Sequence, residues 1–503
     1  MEIEYIVVQA GGRGSRLGHL TDNKPKALVP VNNLPILFHL FRLFPKKRFI
    51  IIGDYKADVL KRYLSSFANV NYLVVETGQE KGTCAGITSA LKCVPEDTPF
   101  MLIWSDLILE QGFHFPEQTG NFVGLSKVFT CRWSYENGQF EEKPSDKQGV
   151  AGLFLFEKKD LLKEINSSGE FVKWLQSKQM KFQEFPLYGI KEYGILKEYE
   201  KIATQKCRPF NEIIVQENKI IKRGIDEQGK LLAVRERDWY KKASLLGVTQ
   251  IPKIYELEPL VLERINGKNV FEYELSHEEK SKVLKRIISS LKKLHEKEKI
   301  EVDYFSLKEA YYTKTIDRLE KIRNLVPMAN QEKIKINGRE CRNIYFYENE
   351  LEKMLEKIPT RYFCFIHGDC TFSNLLLDNE MNPVFIDPRG YFGFTQYYGD
   401  PLYDWAKLYY SIVGNYDKFN RKQFHLQFIQ EEVKLSIESN EWEDMESEFF
   451  DLLKDEITRY NIKLLHAVIW LSLTTYAWED YDSICAAFYN GLYYLEECFE
   501  KEL

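Results

Sequence analysis

The segment FIHGDCTFSNLLLDNEMNPVFIDPRG places His367, Asp369, Asn374 and Asp387 on two apolar strands and the loop between them. These residue types suit transfer of a phosphoryl group to a hydroxyl. One carboxylate can orient the attacking O–H and take its proton. An amide and a second carboxylate can hold metal ions on a polyphosphate. A second chemical stretch, AGGRGSRLGHLTDNKPKALVPV, begins at Ala10. Gly11, Gly12 and Gly14 let the backbone approach a polyphosphate and turn successive N–H groups toward its oxygens. Arg16 and Lys26 add full positive charges. No G-K-[ST] closes this loop and the third glycine of a dinucleotide fingerprint is missing, so it is neither of those phosphate motifs.

Each set of residues needs a scaffold. The apolar run EYIVVQA leads straight into the glycines, as a buried parallel strand would. Further apolar runs at RFIIIGD, VNYLVVE and FMLIWSD alternate with helix-like DVLKRYLSSF and AGITSALKCV. This alternation predicts a three-layer α/β domain with a mainly parallel sheet, whose ligands sit at the carboxyl ends of the strands. YEKIATQKCRPFNE ends the pattern. EIIVQENKIIKRG and PLVLERI then read as strands of a small antiparallel lobe. From Ser276 the chain reads as mainly helical, with Val283, Ile287, Leu291 and Leu294 spaced along one amphipathic helix. His295 at its end reads as a surface or capping residue. The boundary is set at 203/204, giving domains 1–203 and 204–503.

Composition narrows the class. A chain of 503 residues exceeds one ordinary core. The net charge of −6 gives no electrostatic reason for a nucleic-acid or membrane-surface partner. Nine cysteines without C-x-x-C pairs read as reduced thiols of a cytoplasmic protein. The start, MEIEYIVVQAGG, lacks the pattern of a secretory signal. The uncharged stretch from Leu464 to Trp478 is shorter than the roughly 20 residues of a membrane span and reads as a buried helix.

Residues 1–200 resemble the sugar-1-phosphate nucleotidyltransferases. The resemblance rests on G-G-x-G-x-R-L followed by K-P-K-x-L-x-P-V, on GTCAG at Gly82 to Gly86, on MLIWSDL, on EEKPSD and on VAGLFLF. It implies that Gly11, Gly12, Gly14, Gly82 and Thr83 hold the nucleoside triphosphate and that Arg16 and Lys26 hold its phosphates. It also implies that Asp106 binds magnesium, and that Glu142 and Lys143 hold the acceptor phosphate. The family closes its metal site with D-x-G-T. Here KEYGILKEYEKI offers Glu192 for the aspartate and Ile195 for the threonine. Asp106 has an ordinary reading as a cap or turn residue, which the surrounding motifs outweigh.

From Pro209 onward the chain resembles the small-molecule branch of the protein-kinase-like enzymes: aminoglycoside phosphotransferases and choline kinases. HGD, IDPRG and GDPLYDWAKL carry that resemblance. It makes Asp369 the catalytic base and Asn374 and Asp387 metal ligands. Lys222 becomes the β-strand lysine on ATP, with Glu236 as its helix partner, and Glu263 to Ile265 the hinge beside adenine. No glycine-rich loop precedes Lys222, so RPFNE would have to cover the phosphates. Asp404 reads as a helix cap or a substrate contact, and Arg389 as a phosphate contact or half of a salt bridge.

The two resemblances together imply a bifunctional enzyme with an α/β Rossmann-like nucleotidyltransferase domain and an α+β kinase-like domain. The second would phosphorylate a sugar with ATP. The first would couple the sugar phosphate to CTP, UTP, GTP or dTTP and release pyrophosphate for surface glycan supply, with Mg2+ in both. One alternative is choline, ethanolamine or another polar alcohol activated with CTP, held by aromatics such as those in CRWSYENGQF and RGYFGFTQYYGD. Another is an active transferase carrying a non-catalytic kinase-like module. Expected partners are small molecules and nucleotides, without nucleic acid or membrane insertion; the oligomeric state stays open.

Overall fold

The computed structural model describes residues 1–78, 81–194, 196, 199, 211–225, 227–454 and 459–502. The chain divides into two compact units, Met1–Lys206 with Glu479–Tyr481, and Cys207–Trp478 with Asp482–Leu503. The expected boundary at 203/204 lies outside the described residues. Among the described residues no helix is long and apolar enough to cross a membrane.

The first unit is built on a nine-stranded sheet. β1 (Tyr5–Gln9), β2 (Arg48–Gly53), β3 (Asn71–Glu76) and β4 (Phe100–Trp104) run parallel in the order β3–β2–β1–β4. β1, β2 and β4 are short apolar runs, as strands covered on both faces must be, whereas β3 at the sheet edge leaves Leu73 exposed. Alternation along β1 and β2 gives each face its own partners. Val7, Ile50 and Ile52 pack with Ile87, Ala90 and Leu91 of α3 (Thr83–Leu91) and with Phe171 and Trp174 of α4 (Phe171–Ser177). On the other face Phe49 meets Phe41 of α1 (Ile36–Leu43), their rings 4.7 Å apart, and Phe38 meets Tyr63 of α2 (Ala57–Phe67). The antiparallel strand β9 (Gly149–Phe156) lies on β4 and carries β6 (Phe122–Ser126) and β7 (Ser134–Glu136); β8 (Gln139–Glu141) pairs with β7, and β10 (Gln183–Leu187) with β6. Trp133, Tyr135 and Phe140 of CRWSYENGQF are core residues, not a ligand cage.

The strand order fixes where ligands go. Gln9 lies in register with Ile52 and with Trp104, so β1, β2 and β4 end at one level. The chain leaves β1 toward β2 and returns from β3 to β4 on the other side. That reversal puts a crevice between the ends of β1 and β4. The glycine loop follows the first, and Asp106 the second. β5 (Leu107–Ile108) then pairs antiparallel with β11 (Lys191–Glu192), which sets Glu192 opposite Leu107.

The second unit opens with the expected antiparallel lobe, ordered β12 (Asn211–Val215), β13 (Lys219–Gly224), β15 (Leu260–Glu263), β14 (Ile254–Leu257). Helix α5 (Glu227–Leu245) follows β13 and is pinned by Trp239, whose indole N–H donates to the Ile366 carbonyl at 2.8 Å. Helix α6 (His277–His295) buries Val283, Ile287, Leu291 and Leu294 and begins at a capping box between Ser276 and Glu279. α7 (Lys314–Ile322), α8 (Pro401–Ile412), α9 (Arg459–Leu473) and the closing helix α10 (Tyr481–Glu502) complete the helical part. The mainly helical character expected after Ser276 holds, with one addition. The region after Ser276 also contains a four-stranded sheet, Arg339–Arg342, Lys333–Ile336, Glu432–Ile437 and Phe424–Ile429. KIKI, FHLQFI and EVKLSI alternate apolar and polar residues with the period of a strand, which a helical reading of the surrounding sequence overlooked.

Candidate active sites

Four charged side chains converge in the crevice of the first unit. The Lys26 ammonium donates to Asp106 Oδ2. Glu192 Oε1 stands 3.8 Å from Arg16 Nη2. Gly194 marks their meeting point: a Cβ added there would lie 2.8 Å from Glu192 Oε1, 3.2 Å from Lys26 Nζ and 3.3 Å from Arg16 Nη2. Burial, reinforced by the Asp106 carboxylate, raises Glu192 above the usual carboxylate range despite Lys26 and Arg16. The two acids therefore act on one another, as two ligands of one hard cation would. The glycine loop is shaped by close approach. Gly14 has φ +70° and sits against Lys26, and a side chain on Gly11 would strike Asp54.

The other expected residues fall around this cluster with different partners. Gly82, at φ +97°, opens α3 against the Gly169 backbone. The Thr83 hydroxyl accepts the Phe171 N–H at 2.7 Å, so it caps α4. Glu142 is held by Arg132, while Lys143 is exposed and has no side-chain partner among the described residues. Gly12 has open space about it. Ile195, offered for the family threonine, lies outside the described residues.

The second unit holds its candidate residues far more tightly. Lys222 on β13 donates to Glu236 of α5 at 2.7 Å and also to Asp387. Burial alone would pull the Lys222 ammonium down, but Asp387 and then Glu236 hold it well above the usual lysine range. Asp387 is left-handed at φ 54°, a conformation that costs a non-glycine residue about 1 kcal/mol or more. The Asn374 amide donates to Asp369 Oδ2 at 3.0 Å and to the Asp369 carbonyl at 2.8 Å. Strands β16 (Phe363–Phe365), β17 (Leu375–Leu377) and β18 (Pro383–Phe385) frame this loop, with β17 and β18 paired antiparallel. Glu263 ends β15 and accepts the Lys253 N–H, and Ile265 follows half-buried. Most of RPFNE lies outside the described residues.

Residues 6–112 match the sequence profile of the MobA-like NTP transferase domain, and residues 225–432 that of the phosphotransferase enzyme family. The chain joins a MobA-like NTP transferase domain to a phosphotransferase domain. Similar curated proteins include the UTP–glucose-1-phosphate uridylyltransferase AglF of Haloferax volcanii, 32% identical across 20% of this chain and 43% of that protein. The bifunctional protein GlmU of Methanococcus maripaludis is 26% identical across 24% of this chain and 29% of its own length. Each match thus spans less than half of the relative. Among solved structures, HddC from Yersinia pseudotuberculosis covers 40% of this chain and 98% of its own, at 21% identity and a TM-score of 0.34.

In the phosphotransferase domain two sequence readings need correction. Asp404 neither caps α8 nor faces a substrate. It is fully buried and accepts the N–H groups of His367 at 2.9 Å and Gly368 at 2.7 Å. The cap is Asp400, which accepts the Leu402 N–H. His295 is not a surface residue: it is buried, with Nε2 3.0 Å from Asp404. A polar residue with two buried backbone donors to satisfy belongs inside, which spacing alone does not reveal. His367 bonds through Nε2 to the Ile386 carbonyl, and burial pulls it below the ordinary histidine value despite Asp404 and Asp369. Asp417 accepts the Ser373 N–H at 2.8 Å. The loop bearing Asp369 is thus tied down on three sides. Among the described residues Arg389 forms no salt bridge; it donates to the phenols of Tyr403 at 2.8 Å and Tyr391 at 3.1 Å.

Two residues escaped the sequence reading. Gln9, the polar end of an otherwise apolar strand, has a buried Oε1 without a partner, close to Gly86 of the GTCAG turn. Lys407 donates to Asp369 Oδ1 at 2.9 Å. A lone lysine within the apolar run LYDWAKLYY was the available signal. Asp106 with Glu192, and Asn374 with Asp387, are pairs, and no group of three or more His, Cys, Asp or Glu ligands occurs among the described residues. Such pairs fit a hard cation whose remaining ligands are water and phosphate oxygens.

Proposed function

We propose that the phosphotransferase domain phosphorylates a sugar hydroxyl with ATP, and that the transferase domain couples the resulting phosphate to a nucleoside triphosphate with release of pyrophosphate. The observation that carries this reading is the coexistence of two complete clusters, Asp369–Asn374 with Lys222–Glu236–Asp387, and Arg16–Lys26 with Asp106–Glu192. Both steps are placed in the cytoplasm and feed surface glycan assembly.

In the first step Asp369 orients the acceptor hydroxyl and takes its proton, while Lys222 holds the ATP phosphates. In the second the phosphate ester needs no general base, because a dianion is already nucleophilic. Lys143 steadies that ester. Arg16, Lys26 and the loop N–H groups of Gly11, Gly12 and Gly14 receive the charge of the departing pyrophosphate. Magnesium, held by Asp106 with Glu192 and by Asn374 with Asp387, would supply Lewis-acid screening of phosphate oxygens. Gly82, Thr83 and Gln9 border the base, and Glu263 with Ile265 the adenine of ATP. The intact Asp369 cluster speaks against a non-catalytic module.

The test supplies the whole chain with ATP, magnesium, a panel of sugars and alcohols, and each of CTP, UTP, GTP and dTTP. ADP, pyrophosphate and a new nucleotide-diphosphate product in the same mixture support the reading. ATP consumption without any nucleotide product, or the converse across the whole panel, overturns the two-step scheme.

A further inference from the structure

We propose that the acceptor of the phosphotransferase domain carries a negative charge of its own, a carboxylate or phosphate on the alcohol being phosphorylated, bound by Lys314, Arg318 and Arg389. This rests on the kinase reading above and names the substrate class of that site.

Five cations stand on the Asp369 side of the domain: Arg235 on α5, Lys314 and Arg318 one turn apart on α7, Arg389 just beyond Asp387, and Lys407 on α8. They form one connected group. Lys407 bonds Asp369 and lies 5.8 Å from the Tyr403 ring centre. Tyr403 accepts from Arg389, Arg389 also bonds Tyr391, and Arg235 sits 4.1 Å over the Tyr391 ring. Lys314 and Arg318 lie within the field of Arg389, which depresses both after burial does.

Among the described residues only one of the five has a carboxylate partner. Lys407 uses Asp369. Arg389 has neutral phenols, and Arg318 has the carbonyl and hydroxyl of Ser472. Lys314 has no hydrogen-bond or ion-pair partner among the described residues, although it is largely covered. Glu309 is an acid that Lys314 and Arg318 both feel, and for Lys314 it acts less strongly than the neighbouring cations. The surplus is visible on Tyr391: burial would push its phenol up, yet Arg389, Arg235 and Arg318 bring it below the usual tyrosine range. Like charges gathered away from bulk water repel strongly unless an anion joins them. ATP accounts for Lys222, on the opposite lobe. Lys314 and Arg318 come from a different helix and remain for the acceptor. A quaternary ammonium alcohol would be repelled by these cations, against the attraction of the aromatic rings and Asp369.

The chemistry stays in balance. The acceptor oxygen forms a bond to the γ-phosphorus, the bond from that phosphorus to the β–γ bridging oxygen breaks, ADP leaves, and the hydroxyl proton passes to Asp369. The product carries the original anion and the new phosphate ester.

The test measures ADP formation by the full chain, with magnesium and ATP, on gluconate, glucuronate, glucose 6-phosphate, glucose and choline. At least one acidic acceptor should exceed glucose by tenfold or more in kcat/KM, with choline inert. Gluconate and glucuronate against glucose 6-phosphate separate carboxylate from phosphate. Lys314→Met and Arg318→Met should each raise KM for the acidic acceptor about tenfold and leave KM for ATP unchanged. Glucose or choline as the best acceptor overturns the proposal. So does a rise in KM for ATP alone, which would assign these cations to the nucleotide. If no acceptor yields ADP, the kinase reading fails separately. The anion site then stands on thermal stabilisation by glucuronate or glucose 6-phosphate that Lys314→Met abolishes, and falls without it.

Discussion

The two sites use one device in two settings. In each, a lysine ammonium rests on the acid offered to the metal, Lys26 on Asp106 and Lys222 on Asp387. The surroundings differ. Arg16 is 63% exposed and Glu192 28%, and their cluster is held mainly by the ends of strands and the loops beyond them. Around Asp369, buried Asp404, Asp417 and His367 fix the backbone by hydrogen bonds that cannot be lost cheaply. A site assembled by topology can shift with its ligand. A site tied by buried polar groups is already in place before the ligand arrives, at the cost of stability that depends on every tie.

The sharpest way to break this comparison is to disable one site and watch the other. Asp369→Asn should lower ADP formation by about a thousandfold, within the range for loss of a general base, while pyrophosphate release from a supplied phosphate ester continues. Asp106→Ala should do the reverse. A folded single variant that loses both activities would mean that the two sites are not independent.

A smaller effect probes the exposed cluster. Gly194→Ala places its Cβ against the ends of Glu192, Lys26 and Arg16, all flexible side-chain tips rather than backbone. The fold should survive and the cluster should spread, with pyrophosphate release falling about 10- to 100-fold and ADP formation unchanged. Unchanged transferase kinetics would show that these three side chains need not meet.

That contrast also explains what could be read in advance. The Asp369 site lies within one continuous segment, so its spacing could be matched to a kinase-like pattern directly. Arg16, Lys26, Asp106 and Glu192 are scattered over most of a domain and became legible only through a family resemblance. The parallel strands β1, β2 and β4 were legible because doubly covered strands are continuously apolar. Asp404 and His295 were misread because their partners are backbone N–H groups and each other, distant in sequence. Lys314 and Arg318 were invisible: a basic pair on an amphipathic helix looks like a solvated face until the fold turns it inward.

Removing a tie should sharpen the other half of the comparison. Asp404→Ala leaves the buried N–H groups of His367 and Gly368 and the ring of His295 without their acceptor. The expected cost is about 2–4 kcal/mol, seen as a lower thermal midpoint for the phosphotransferase domain. ADP formation should fall with it, and pyrophosphate release at a permissive temperature should not. A midpoint within a degree of the parent would remove Asp404 as an anchor.

The smallest effect is a pH dependence confined to the same domain. His466 is buried on α9, donated to by the Trp470 indole at 3.0 Å and packed against Tyr409, Tyr410 and Tyr494. Burial, with Lys463 adding to it, pulls the imidazole down to about 3. The unfolded chain binds a proton there near the ordinary histidine value of about 6.5, and the folded chain refuses it. The unfolded state therefore holds more protons between those values, so stability is complete above the upper one and declines as the pH falls below it. The decline is at most about 1.4 kcal/mol per pH unit from this one group. His466→Gln retains an amide oxygen for Trp470 and does not titrate. Its thermal midpoint should start lower at pH 7.5 yet fall less steeply toward pH 5 than that of the parent. Parallel slopes would transfer the acid sensitivity to other buried groups and leave His466 a purely packing residue.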